Sequence, residues 1–78
     1  MKKVVIYSTP TCHFCHMAKD FFNENGIQFT DHNVQEDLDM RKEMVEKSGQ
    51  MGVPVIDIEG ETVVGFNEEK IRGLLELN

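Results

Sequence analysis

The stretch Lys3-Val4-Val5-Ile6-Tyr7-Ser8-Thr9-Pro10-Thr11-Cys12-His13-Phe14-Cys15 decides how this chain folds. Residues 3–7 are a short run rich in apolar, β-branched side chains, which reads as a buried strand. Ser8-Thr9-Pro10-Thr11 is a polar turn. Cys12-His13-Phe14-Cys15 then opens a run of helical periodicity over residues 14–25. A strand, a turn and Cys-x-x-Cys at a helix start form the context in which two cysteines read as a redox pair. Residues three apart on a helix have Cβ atoms about 5–6 Å apart, and a disulfide needs Cα atoms about 4.4–6.8 Å apart. The two sulfurs can therefore join or separate with little backbone movement.

The same placement sets reactivity. A helix N-terminus carries partial positive charge and unpaired N–H groups, so a thiolate is stabilised there. Cysteines in such motifs have pKa values of roughly 3.5–7.5. Cys12 stands at the helix start and is the expected nucleophile. Cys15 lies one turn in, with its sulfur expected to be buried, and is the expected resolving thiol. His13, between them, is the candidate for tuning the pair, because as a cation it stabilises the Cys12 thiolate.

Outward from this stretch, Phe14, Met17, Ala18, Phe21 and Phe22 recur at helical spacing, and Asn25-Gly26 stops the helix with a left-handed cap. Residues 27–34 read as a second strand, parallel to the first because a helix has carried the chain across. Gln35-Glu36-Asp37 opens a second helix, with Leu38, Met44 and Val45 as its core-facing stripe, Met40 on the margin and Ser48-Gly49 at its end. Residues 53–58 and 61–64 are two further strands joined by a Glu59-Gly60 hairpin turn, with glycine where positive φ is needed. Asn67 is the N-cap of a last helix, with Glu68 and Glu69 in its first turn and Ile71, Leu74 and Leu75 as its buried stripe. The fold class is therefore α/β. The order βαβαββα gives one four-stranded mixed sheet with three helices on its two faces, a single domain over residues 1–78.

Composition narrows the function. Fourteen acidic against eight basic residues give a net charge of −6, which argues against a nucleic-acid partner, since that would want a basic patch. No apolar run reaches the length of a signal core or a membrane span. The two cysteines stand three apart, so a disulfide between them closes too small a loop to act as a structural staple. That usage points to a cytoplasmic setting and to catalysis or metal binding. Cys12-x-x-Cys15-His16 also spells the c-type haem attachment motif, a reading that leaves the preceding strand unexplained. A closed metal site wants four ligands, and His32 is far off in sequence, so no metal is expected.

Three segments together resemble the glutaredoxin family, and in particular its small bacterial members. They are residues 7–15 with the Cys12-His13-Phe14-Cys15 motif, Met51-Gly52-Val53-Pro54, and Val63-Val64-Gly65-Phe66-Asn67-Glu68. They come in the family's order and spacing, and the similarity covers essentially the whole chain. The resemblance implies a minimal thioredoxin fold, a cis bond at Val53–Pro54, and Pro54 beside the cysteines. It implies thiol–disulfide exchange on glutathione mixed disulfides and protein disulfides, through a monomer with no bound cofactor and with glutathione as co-substrate. The implied glutathione contacts are Phe14, Val53, Pro54, Gly65, Asn67 and Glu68. The sequence also departs from the family. Thr9 stands where many members carry Lys or Arg, Gly52-Val53-Pro54 replaces Thr-Val-Pro, Val64-Gly65 replaces a double glycine, and Glu68 replaces Asp. Val64-Gly65-Phe66 is similar to related redoxins that take electrons from thioredoxin reductase and serve ribonucleotide reductase. The implied partners are thus glutathione, disulfide-containing proteins, and either a glutathione reductase or a thioredoxin reductase system. Some family members bridge an iron–sulfur cluster between two chains; Cys15 favours the plain dithiol form.

Overall fold

The computed structural model describes residues 2–77. Its elements run β1 (Val4–Ser8), α1 (His13–Glu24), β2 (Thr30–Asn33), α2 (Leu38–Ser48), β3 (Val55–Ile58), β4 (Glu61–Val64) and α3 (Glu68–Leu74). The strands form one sheet in the order β2-β1-β3-β4. β1 and β2 are parallel, while β3 runs antiparallel to both β1 and β4. This is the minimal thioredoxin fold, and the bond Val53–Pro54 is cis.

Strand alternation divides the core in two. Val4 and Ile6 of β1, Ile56 and Ile58 of β3 and Val63 of β4 face one way. They pack against Ala18, Phe21 and Phe22 of α1 and Ile71 of α3. Val5, Tyr7 and Val55 face the other way, against Met44 of α2. Because β1 is buried on both faces, it reads as a continuous apolar run rather than an alternating one.

Helix α1 ends in a Schellman motif. Ile27 N–H donates to Phe22 O at 2.8 Å and Gly26 N–H to Asn23 O at 3.2 Å, with Gly26 at φ 66°. This explains why the second strand is shorter than residues 27–34. Ile27 spends its N–H on the helix cap, and sheet pairing begins only at Thr30, opposite Val5. Ile27 and Phe29 still pack against the core as partly buried side chains.

Two core-facing expectations fail. Leu38 is 68% exposed. It lies six residues before Met44, which places it about 120° around the helix from the buried stripe. Met17 is likewise off the face of α1 that carries Cys15, Ala18, Phe21 and Phe22, and it is exposed. In α3 only Ile71 is fully buried; Leu74 and Leu75 are partly buried against the same cluster.

The hairpin turn needs positive φ at both central residues, Glu59 at 50° and Gly60 at 89°. Glu59 is held there by two bonds to Lys3. Its N–H donates to Lys3 O at 3.0 Å, and its carboxylate accepts from Lys3 N–H at 3.0 Å.

Candidate active site

Strand register collects the sequence-predicted residues at one end of the sheet. Ser8 lies opposite Asn33, Tyr7 opposite Val55, and Val55 opposite Val64. The C-terminal ends of β1, β2 and β4 therefore meet the N-terminal end of β3. The chain leaves β1 toward Cys12, enters β3 from Val53–Pro54, and leaves β4 toward Gly65, Asn67 and Glu68. Gly65 N–H donates to Pro54 O at 2.8 Å, which ties the last two segments together.

Cys12 is the N-cap of α1. Its backbone is extended, its N–H donates to Thr9 O at 3.3 Å, and its sulfur accepts from Cys15 N–H at 3.1 Å. N-cap positions are ordinarily filled by an oxygen acceptor. Here a sulfur takes that role, and no acidic residue in the first turn of α1 competes with it. A thiolate fits the place, because the partial charge of the free N–H groups favours an anion.

The two thiols sit in different surroundings. Both are free; Cys12 is partly exposed, and Cys15 is fully buried. Burial pushes the Cys15 thiol up from 9.0 to about 12, helped by its hydrogen bond with Cys12. One sulfur can thus meet a substrate while the other waits protonated beneath it.

The remaining expected residues differ in how they are held. Phe14 is 57% exposed. It shares the buried stripe's direction on α1 but stands in the first turn, beyond the core. His13 is exposed and packs edge-on to Phe14, ring centroids 5.6 Å apart. Pro54 is buried and Val53 partly so. Asn67 Oδ1 accepts from Lys70 N–H at 3.1 Å as the α3 N-cap. Gly65 holds φ 82°, a conformation that suits glycine. Glu68 is already engaged: Arg72 Nε donates to it at 2.8 Å.

Several groups escaped the sequence reading. His16, which suggested haem, donates its Nε2–H to Pro10 O at 2.8 Å and so braces the turn before Cys12. Lys19 pairs with Asp31 at 2.7 Å, and Asp31 accepts from Ser8 Oγ at 2.7 Å. On the other face of the sheet, Lys47 donates to Tyr7 Oη and to Asp57 Oδ2, each at 3.0 Å. That ammonium is also 5.5 Å from the Tyr7 ring centroid. It lies beyond the hydroxyl, so the contact is a hydrogen bond and not a cation–π stack. No local sequence signal announces these pairs, because each joins residues on different elements or a helix and the turn before it. An open hollow lined by Asp31, His32, Asn33, Glu36, Asp37, Leu38 and Asp39 contains neither cysteine. Among the described residues no cluster of three or more His, Cys, Asp or Glu side chains is placed to hold a metal ion. No helix among them is long and apolar enough to cross a membrane.

Comparison with known proteins gives one answer. The glutaredoxin family model matches residues 4–63. A glutaredoxin-like 8.6 kDa protein of the Clostridium pasteurianum rubredoxin operon, itself uncharacterized, is 47% identical over 73 residues, 94% of this chain and 97% of that one. Glutaredoxin 3 of Escherichia coli K12 is 32% identical over 68 residues, 87% of this chain and 82% of its own. A crystal structure of a point variant of the thioredoxin-like protein BC3987 superposes with a TM-score of 0.92 at 31% identity, over 100% of both chains. With its Cys12-x-x-Cys15 pair at a helix N-terminus, this chain belongs to the glutaredoxin family, whose chemistry is thiol–disulfide exchange.

Proposed function

We propose that this protein is a dithiol glutaredoxin, a single-domain monomer that reduces glutathione mixed disulfides and protein disulfides. The observation that carries the reading is the asymmetry of the pair: an exposed-side sulfur at the α1 N-cap accepting a backbone N–H, over a buried, protonated thiol. In this reading the Cys12 thiolate attacks the disulfide and the first thiol departs. Cys15 then attacks the Cys12 mixed disulfide, or glutathione resolves it directly. Glutathione would lie along Val53 and Pro54 like an added strand, beside Phe14, and reach Gly65, Asn67 and Glu68. His13 would tune the Cys12 thiolate. No prosthetic group takes part, and the low cysteine count fits a reducing, cytoplasmic compartment.

A second reading has its own support. Thr9 supplies no cation for glutathione, and Arg72 already holds the Glu68 carboxylate that would meet its amino group. Both features suit a redoxin fed by thioredoxin reductase and serving a protein such as ribonucleotide reductase. The metal and haem readings of Cys12-x-x-Cys15-His16 lose their motivation, since family membership accounts for the motif.

A coupled NADPH-oxidation assay on a small glutathione mixed disulfide separates the two. Turnover with glutathione and glutathione reductase supports the first reading. Turnover only with thioredoxin reductase and a disulfide substrate moves the protein to the second. Silence in both, with thiols reduced, would overturn exchange altogether.

A further inference from the structure

The buried thiol has a charged neighbour that the exchange reading leaves unused. On α1, Cys12 lies one turn before Cys15 and Lys19 one turn after it. Residues four apart on a helix face the same way, with Cβ atoms about 5–6 Å apart. The Lys19 side chain is only 22% exposed, and its Nζ is 2.7 Å from Asp31 Oδ2 on β2. The other Asp31 oxygen accepts from Ser8 Oγ at 2.7 Å, and Ser8 is buried at the end of β1. Ammonium, carboxylate and hydroxyl form a braced line from α1 across the two neighbouring strands.

We propose that Lys19, anchored by Asp31 and Ser8, is a positioning residue for the resolving step, where its ammonium stabilises the Cys15 thiolate. The proposal rests on the thiol–disulfide exchange reading above. In that step Cys12 Sγ is bonded to a target sulfur. Cys15 gives up its proton, and its thiolate attacks Cys12 Sγ. The Cys12–target bond breaks, and the target sulfur leaves with the electron pair and takes up that proton. Cys12 and Cys15 end as a disulfide, and the target ends as a thiol.

The groups that act on Cys15 make Lys19 matter at this moment. Burial holds the Cys15 proton most strongly and the Cys12 sulfur adds to it, while the Thr9 backbone and the Lys19 charge work the other way. Once Cys12 is tied in a mixed disulfide its sulfur is neutral. Lys19 is then the charged group acting on the thiol, and Asp31 of β2 is its counterion. An opposite charge within about 4–6 Å favours the ionised form of a group by about 1–3 pKa units, and Asp31 cancels part of that.

This gives a test of opposite signs. Cys12 is loaded as a mixed disulfide with nitrothiobenzoate in the full-length chain, and release of the coloured thiol is followed from pH 6 to 9. Cys15→Ser sets the zero of intramolecular release. Each pKa unit gained by Cys15 removes thiolate tenfold but raises its nucleophilicity, so the net slowing is about three- to fourfold per unit. Lys19→Met is expected to slow release by about that factor or more. Asp31→Asn leaves the lysine charge uncompensated and is expected to speed it. Lys19→Arg should stay near the wild-type rate. If Lys19→Met and Asp31→Asn shift release in the same direction, or neither moves it, the ion pair is only a structural brace and the proposal falls. Should Lys19→Met fail to fold, the sign of the Asp31→Asn change decides the matter alone. A wild-type mixed disulfide that releases nothing until glutathione is added would remove Cys15 from the resolving step and the proposal with it; one that releases nothing even then would overturn the exchange reading itself.

Discussion

The Cys15 backbone N–H donates to the Cys12 sulfur at 3.1 Å, so the residue that opens α1 is also the helix's own capping acceptor. This one bond couples fold and chemistry. It satisfies an otherwise unpaired helix donor, and it points that donor at the sulfur that carries charge when the thiol ionises.

The pair should divide its labour under mutation. Cys12→Ser is expected to abolish reduction of glutathione mixed disulfides and of protein disulfides alike. Cys15→Ser is expected to keep the first activity, with glutathione resolving Cys12, and to lose the second. Parallel assays on a glutathionylated peptide and on insulin read both. Loss of both activities in Cys15→Ser would sink the division of roles.

Alkaline pH should weaken the reduced protein through Cys15. Its thiol moves from an ordinary 9.0 up to about 12, chiefly through burial. Between those values the unfolded chain releases this proton while the folded chain keeps it, so stability falls as pH rises. The slope is at most about 1.4 kcal/mol per pH unit. Lys47 acts with the same sign at higher pH. The Tyr7 hydroxyl and then Asp57 hold its ammonium above the ordinary 10.5, so its contribution is whole below that value and is lost above it. Urea titrations of wild type and Cys15→Ser under reducing conditions should run parallel below pH 9 and diverge above it, with wild type losing more. Curves parallel up to pH 11 would count against the account.

The Lys47–Asp57 pair should show strong coupling. The Asp57 side chain is 13% exposed, Oδ2 meets Lys47, and Oδ1 is buried with no hydrogen-bond partner among the described residues. Removing the ammonium leaves the carboxylate unpaired. Lys47→Met is expected to cost about 2–3 kcal/mol. The double variant Lys47→Met with Asp57→Val should regain most of that loss, since replacing both partners by apolar groups is often close to neutral. Additive losses in the double-mutant cycle would show that the pair is not coupled.

The end of α3 offers a stabilising change. Leu77 N–H donates to Arg72 O at 2.8 Å and Glu76 N–H to Gly73 O at 3.2 Å, the same Schellman pattern as in α1. Glu76 occupies the left-handed position at φ 59°, where α1 uses glycine. A side chain there costs roughly 1–2 kcal/mol. Glu76→Gly gives part of this back to unfolded-chain entropy, so a net gain of about 0.5–1 kcal/mol is expected. Thermal unfolding checks it; an unchanged or lower Tm would mean that the helix end does not carry this strain.

The sequence showed the site's centre and the element order because both rest on local signals. Cys12 and Cys15 are three apart, Gly26 and Gly49 mark helix ends, and Glu59-Gly60 marks a hairpin. The less legible parts have physical reasons as well. Leu38 is apolar in a helix, but its angle around α2 depends on which face Met44 turns to the sheet. The second strand is short because Ile27 is used by the α1 cap. The hairpin reading placed positive φ on the glycine alone; that Glu59 shares it became visible only with its two bonds to Lys3.

What the sequence alone determined is the set of elements, their order and the redox pair, since helix periodicity, strand composition and capping act over a few residues. Tertiary structure decided which residues lend those elements their polar support. Lys19 finds Asp31, Lys47 finds Tyr7 and Asp57, and Gly65 finds Pro54 only when α1 and α2 pack on a sheet of order β2-β1-β3-β4. The inequality of the two cysteines was legible from their places on the helix, Cys12 at its start and Cys15 one turn in; tertiary structure supplied the core that closes over Cys15 and withholds water from its thiol.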